Sequence, residues 1–101
     1  MKPEDIVRAI IKEQSLIIGE QLAKQMATDS GVVRFNSSKL EDISVTSKDS
    51  GTAIDRVINS YRNLFGQASV DVCLNVIRKI PDGNVNQLIS DSVKSKLAGS
   101  K

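Results

Sequence analysis

The chain has 101 residues, room for one domain with a modest core but not for a core plus a separate substrate domain. Hydrophobic residues make up 40% and charged residues 26%, which excludes wholesale disorder, and the net charge of +2 excludes a strongly polyelectrolyte chain. With only 3% aromatic residues and no Trp, the core has to be built from Ile, Val and Leu, and little surface remains for stacking on nucleic-acid bases.

Pro3, followed by Glu4 and Asp5 where negative charge suits the helix dipole, opens a helical pattern that runs to about Thr28 and stops at Asp29-Ser30-Gly31. Its apolar arc holds Ile6, Val7, Ile10, Ile11, Ile17 and Ile18. Gln14, Gln21 and Gln25 lie in the middle or at the edge of that arc, which predicts either a specific polar contact or simple solvation. Gly19, Ala23 and Ala27 lie four apart on one side, where another backbone can approach closely.

Val32 to Phe35 and Asp42 to Thr46 are short and β-branched, reading as a β-hairpin at about 32–46 around the polar loop Asn36 to Glu41. Two strands alone are marginal and need a helical face or further strands beside them. Ser47 to Gly51 is a loop, and Thr52 with Asp55 resembles a capping box opening a second long helix that ends at Pro81. The same Ser/Gly stretch could present backbone N–H groups to a phosphate, but it lacks the spacing of a phosphate-binding loop, and Asp49 and Asp55 repel an anion. Asp82-Gly83 makes a turn. Val85, Leu88, Ile89, Val93 and Leu97 then form one stripe of a short C-terminal helix. The expected fold is α+β and predominantly helical: long helix, β-hairpin, long helix, short helix, in a single domain over residues 1–98 with a flexible tail at 99–101.

Two segments resemble each other at an offset of 47 positions. Ile10-Ile11 followed by Leu16-Ile17-Ile18-Gly19 aligns with Val57-Ile58 followed by Asn63-Leu64-Phe65-Gly66. The pattern fits an internal duplication, or two helices drawn from one apolar alphabet.

The second long helix is apolar on two sides. At 100° per residue, Ile54, Val57, Ile58, Tyr61, Leu64, Phe65, Ala68, Val72 and Val76 share one arc that stays in phase through Gly66. Gly66, Val70, Cys73, Leu74 and Ile77 share another, roughly opposite. A straight helix from Ile54 to Ile80 would be about 40 Å long, against about 34 Å for a compact globule of this size. It either breaks near Phe65-Gly66 or has its far end covered by another helix, and the unbroken phase argues for continuity. The expected interface with a second chain is therefore Gly66, Val70, Cys73, Leu74 and Ile77, joined by Gly19, Ala23 and Ala27; the competing view is that the arc at residues 66–77 is covered within the one chain, by the helix from Val85 to Leu97 or by the first helix.

Chemical signatures are sparse. Without histidine the chain lacks the usual general base and metal ligand, and its lone Cys73 lies on an apolar arc. No catalytic, cofactor-binding or metal-binding residues are assigned, and the chain is read as no enzyme. Nor is there a signal-peptide pattern or an apolar run of about 20 residues, so a soluble cytoplasmic protein is expected, without membrane partners.

Residues 1–77 hold nine Lys or Arg against ten Asp or Glu, and residues 78–101 hold five against two, so the basic excess is terminal. The sequence reads as a non-catalytic interaction or regulatory module that self-associates as a homodimer, with another protein as a possible partner. The alternative is a small DNA-binding regulator. In that reading the segment around Pro81 forms a helix-turn-helix, with Asn86 and Gln87 near base edges and Arg78, Lys79, Lys94 and Lys96 on phosphates.

Overall fold

The computed structural model describes residues 2–81 and 84–99. It is predominantly helical α+β, measuring 35 × 26 × 21 Å. In chain order it contains α1 (Pro3–Ile18), α2 (Glu20–Asp29), β1 (Val33–Phe35), β2 (Ile43–Val45), α3 (Ser50–Phe65), α4 (Gln67–Lys79), α5 (Val85–Leu88) and α6 (Asp91–Gly99).

Pro3 sits in the first turn of α1, where its missing N–H has no intrahelical partner to lose. The Asp5 carboxylate accepts from the Lys2 backbone N–H at 2.9 Å and from Arg8 at 2.9 Å, and these bonds hold it below the usual carboxylate range. Arg8 also donates to the Glu41 carbonyl, fastening the start of α1 to the hairpin loop. The strands are antiparallel, pairing Val33 with Val45 and Phe35 with Ile43, and their apolar face lies against α1 and α2. That is the helical cover a two-stranded sheet requires. Lys24 of α2 donates to the Ser38 carbonyl and lies over the Phe35 ring at 5.7 Å.

Three features differ from the sequence reading. The two long helices are each broken, at Gly19 and at Gly66. The cap of α3 is Asp49, whose carboxylate accepts from the Gly51 N–H and the Thr52 hydroxyl, so Thr52 is already inside the helix. The C-terminal helix is split, because Ile89 is extended and Ser90 starts α6 afresh. The Ser90 hydroxyl accepts from the Val93 N–H and donates to Asp55 on α3 at 2.8 Å. The expected turn at Asp82-Gly83 and the end of the expected tail, residues 100 and 101, lie outside the described residues.

The breaks have a common geometry. Gly19 has φ 90°, ψ 155° and Gly66 has φ 74°, ψ −156°, a region essentially reserved for glycine. The corner at Gly66 wins over a straight helix because it turns the second apolar arc inward. Val70, Cys73, Leu74 and Ile77 are buried between α4 and the rest of the chain. At roughly 1.5–3 kcal/mol for each large apolar side chain removed from water, their burial exceeds the cost of one interrupted helical turn.

The offset of 47 reappears in three dimensions. Helices α1 and α3 are both 16 residues long and each ends at a glycine corner followed at once by a second helix. Ile6, Val7, Ile10, Ile11 and Gln14 are the buried residues of α1, and their equivalents Ala53, Ile54, Val57, Ile58 and Tyr61 are those of α3. The molecule thus contains two like helical hairpins, α1–α2 and α3–α4, packed so that α1 meets α4 and α2 meets α3. After the hairpins the halves diverge, the first into the β-ribbon and the second into α5 and α6.

Candidate interaction surface

Both glycine corners lie at one end of this four-helix arrangement, and buried polar side chains fix them there. Gln14, one turn before Gly19, donates to the Ser69 carbonyl at 3.2 Å and to Cys73 Sγ at 3.5 Å, one to two turns beyond Gly66. Tyr61, the residue equivalent to Gln14, donates to the Ala23 carbonyl at 2.8 Å, one turn beyond Gly19. Ser60 adds a bond to the Met26 carbonyl. The polar residue that interrupts the apolar arc of the first helix is therefore a cross-brace between hairpins. Its bond is reciprocated almost position for position, and a polar group so buried is tolerable only when satisfied in this way.

Around this end the fold leaves large apolar side chains in water. Leu16 is 76% exposed, Ile17 59%, Leu64 51%, and Leu22 and Phe65 37% each. Ile17 and Leu64 are equivalent positions of the two hairpins, each two residues before its glycine. Their summed exposed area is on the order of a few hundred Å², with Leu16 beside Val76 on the α1–α4 side and Leu64 beside Met26 on the α2–α3 side. On the flank of α1 and α4, a groove of about 340 Å³ continues the apolar surface along Ala9, Leu16, Val76, Ile80 and Pro81, bordered by Lys12 and Lys79.

The interface residues expected from sequence are redistributed by the fold. Val70, Cys73, Leu74 and Ile77 lie in the core of the single chain, as do Ala23 and Ala27, so none of these six presents a surface to a partner. Gly19 and Gly66 are exposed, at the corners themselves. The two-sided helix is covered by its own chain: α4 folds back and is met by α1. Burial pushes the Cys73 thiol up from 9.0 to about 11, partly offset by the Gln14 hydrogen bond, and raises the Tyr61 phenol too. The arrangement keeps the thiol protonated and shielded, opposite to what a nucleophile needs.

The alternative nucleic-acid residues are exposed but not organised as a helix-turn-helix. Asn86 and Gln87 lie on α5, a single turn of four residues, which ends before Ser90. A recognition helix placed in a major groove needs more length than that. Arg78 donates to Asn75 and to the Leu97 carbonyl, Lys94 lies 3.9 Å from Asp91, and Lys79 and Lys96 face solvent. Among the described residues no helix is long and apolar enough to cross a membrane.

The signal that sequence reasoning missed was the exposed half of its own pattern. Leu16, Ile17, Leu64 and Phe65 stand immediately before the two glycines, where a corner has no opposite helix to cover them. Protein-family models, curated proteins and solved structures were all compared with this chain, and none of them matches it.

Proposed function

We propose that the chain is a non-catalytic interaction module that forms a homodimer through its corner end, with Leu16, Ile17, Leu64 and Phe65 at the centre of the contact. The observation that carries this reading is the exposure of these four side chains, each within three residues of a corner glycine, on an end whose two corners are near-equivalents of each other. A two-fold contact needs a self-complementary patch, and a surface made of two like halves approaches that condition within a single chain. The partner is a second copy. The setting is the cytoplasm, where the buried thiol of Cys73 stays reduced.

The magnitude sets the expected strength. An exposed apolar area of a few hundred Å² is below the roughly 800 Å² per partner of a standard interface, so the proposed dimer is expected to be weak and concentration-dependent. Light scattering on the full chain from about 10 μM to 1 mM should show the mass rising from one chain towards two. Ile17→Lys with Leu64→Lys should hold it at one chain, with an unchanged circular dichroism spectrum. A wild-type protein that stays monomeric at about 1 mM sinks the proposal. So does duplex DNA that binds with a steep salt dependence and is released by neutralising Lys94 and Lys96, which would establish the nucleic-acid reading instead.

A further inference from the structure

The periodicity of the second half contains information that the folded-back chain does not use. Ile54, Val57, Ile58 and Tyr61 are buried on α3. Continued at 100° per residue, their face passes through Leu64, Phe65, Ala68, Val72 and Val76, yet the first three are exposed and the last two only half-buried, because α4 buries its opposite side. The same test on the first hairpin gives another answer. Beyond Gly19 the face of Ile6, Val7, Ile10 and Ile11 continues through Gln21, Gln25 and Thr28, all polar. Straightening the first corner would align nothing apolar, whereas straightening the second would produce one unbroken apolar stripe.

We propose that Gly66 is a hinge at which α3 and α4 straighten into one helix, so that α4 leaves its own α1 and packs on α1 of a second copy of the chain. The change is local. The Gly66 N–H already makes a helical bond to the Arg62 carbonyl at 2.7 Å, so a rotation centred on one residue converts the corner into a further turn. The contacts surrendered are the contacts regained: Gln14 of one chain meets Ser69 and Cys73 of the other as it met its own, and Val70, Leu74 and Ile77 return to an identical core. A straight helix over residues 50–79 is about 45 Å long and overruns the 35 Å long axis of one molecule, so it requires a second body to cover its far half. Where two such helices cross, the stripe at Leu64, Phe65 and Ala68 faces its own copy and gains the burial it lacks in the single chain. Exchange of this kind, switched by a hinge, is a low-cost route to a dimer. It is independent of the corner contact proposed above, which needs both glycines bent.

The two glycines supply their own control. A Cβ built on either Gly19 or Gly66 meets nothing within 4 Å, so alanine at either place penalises only the bent backbone. In the full-length chain, Gly66→Ala should populate a dimer at least tenfold more readily than wild type, with helical content equal or higher and dissociation on dilution taking hours. Gly19→Ala should lose stability without gaining a dimer. If both variants are equally destabilised and monomeric, the hinge is refuted. Should Gly66→Ala not fold, wild-type protein decides the matter. Isotope-labelled and unlabelled chains, unfolded together and refolded at about 1 mM, should give mixed dimers by native mass spectrometry that do not scramble with added free chain over minutes. Refolded wild type without any slowly exchanging dimer overturns the proposal. The corner contact equilibrates rapidly and is removed by Leu16→Lys with Ile17→Lys, which touch neither the hinge nor the stripe, so the two proposals fail separately.

Discussion

Val70→Glu combined with Leu74→Glu places two carboxylates where α4 meets the rest of the chain, at side chains 0% and 3% exposed. Each substitution forfeits about 2 kcal/mol of apolar burial. Each new carboxylate must also lose its water or take up a proton, and protonating a glutamate at pH 7 costs about 4 kcal/mol. The pair therefore removes roughly 12 kcal/mol, against about 5–15 kcal/mol for the whole stability of a domain of this size. The double variant should be unfolded at 25 °C, with the helical circular dichroism signal lost. Leu74→Ala is the graded version, expected to cost about 2–5 kcal/mol in denaturant unfolding while leaving the association of the surviving folded protein unchanged. A double variant that keeps its helical signal while its mass falls from two chains to one would refute the reasoning, because it would show that a single chain folds without packing this arc.

Tyr61→Phe removes the brace to the Ala23 carbonyl and should cost about 1 kcal/mol in urea unfolding, since α2 can still satisfy that carbonyl within its own helix; no measurable loss would show that the brace contributes nothing. The Cys73 thiol should react with an aromatic disulfide reagent only on unfolding, and fast labelling of native protein would place α4 in water. Because its acidity is weakened by folding, from 9.0 to about 11, Cys73 favours the native state fully below pH 9; about 3 kcal/mol of that advantage is lost as pH rises to 11, where the unfolded chain ionises first. The urea midpoint should fall between pH 8 and 10.5, less steeply in Cys73→Ala; identical slopes would exclude the thiol as the cause.

The elements were legible in the sequence wherever one period dominated. The β-ribbon fell within its expected limits, α1 and α3 bury their expected arcs as far as Gln14 and Tyr61 but leave Ile17, Leu64 and Phe65 exposed, and the weak likeness at an offset of 47 proved to be a repeated helical hairpin. The corners were not legible, for a definite reason. A glycine penalty of about 1 kcal/mol decides nothing locally, and the apolar phase through Gly66 runs on as if the helix did. The reward for bending lies in contacts between residues such as Gln14 and Ser69, far apart in the chain, which periodicity cannot see. Gln14 itself was a partly readable sign, a polar side chain in an apolar arc that left a specific contact and simple solvation both open; Gln21 and Gln25, placed alike by periodicity, are exposed. The break at Ser90 depends likewise on Asp55, a partner 35 positions away.

The two glycine corners also bear on how the chain finds its structure. Each hairpin closes over a single residue, so its helices meet as soon as they form, within about microseconds, and little loop entropy opposes them. The expected slow step is the docking of the two hairpins, completed when Gln14 and Tyr61 reach their carbonyls. Variants at the brace, Gln14 and Tyr61, are therefore expected to slow folding more than variants in the strands.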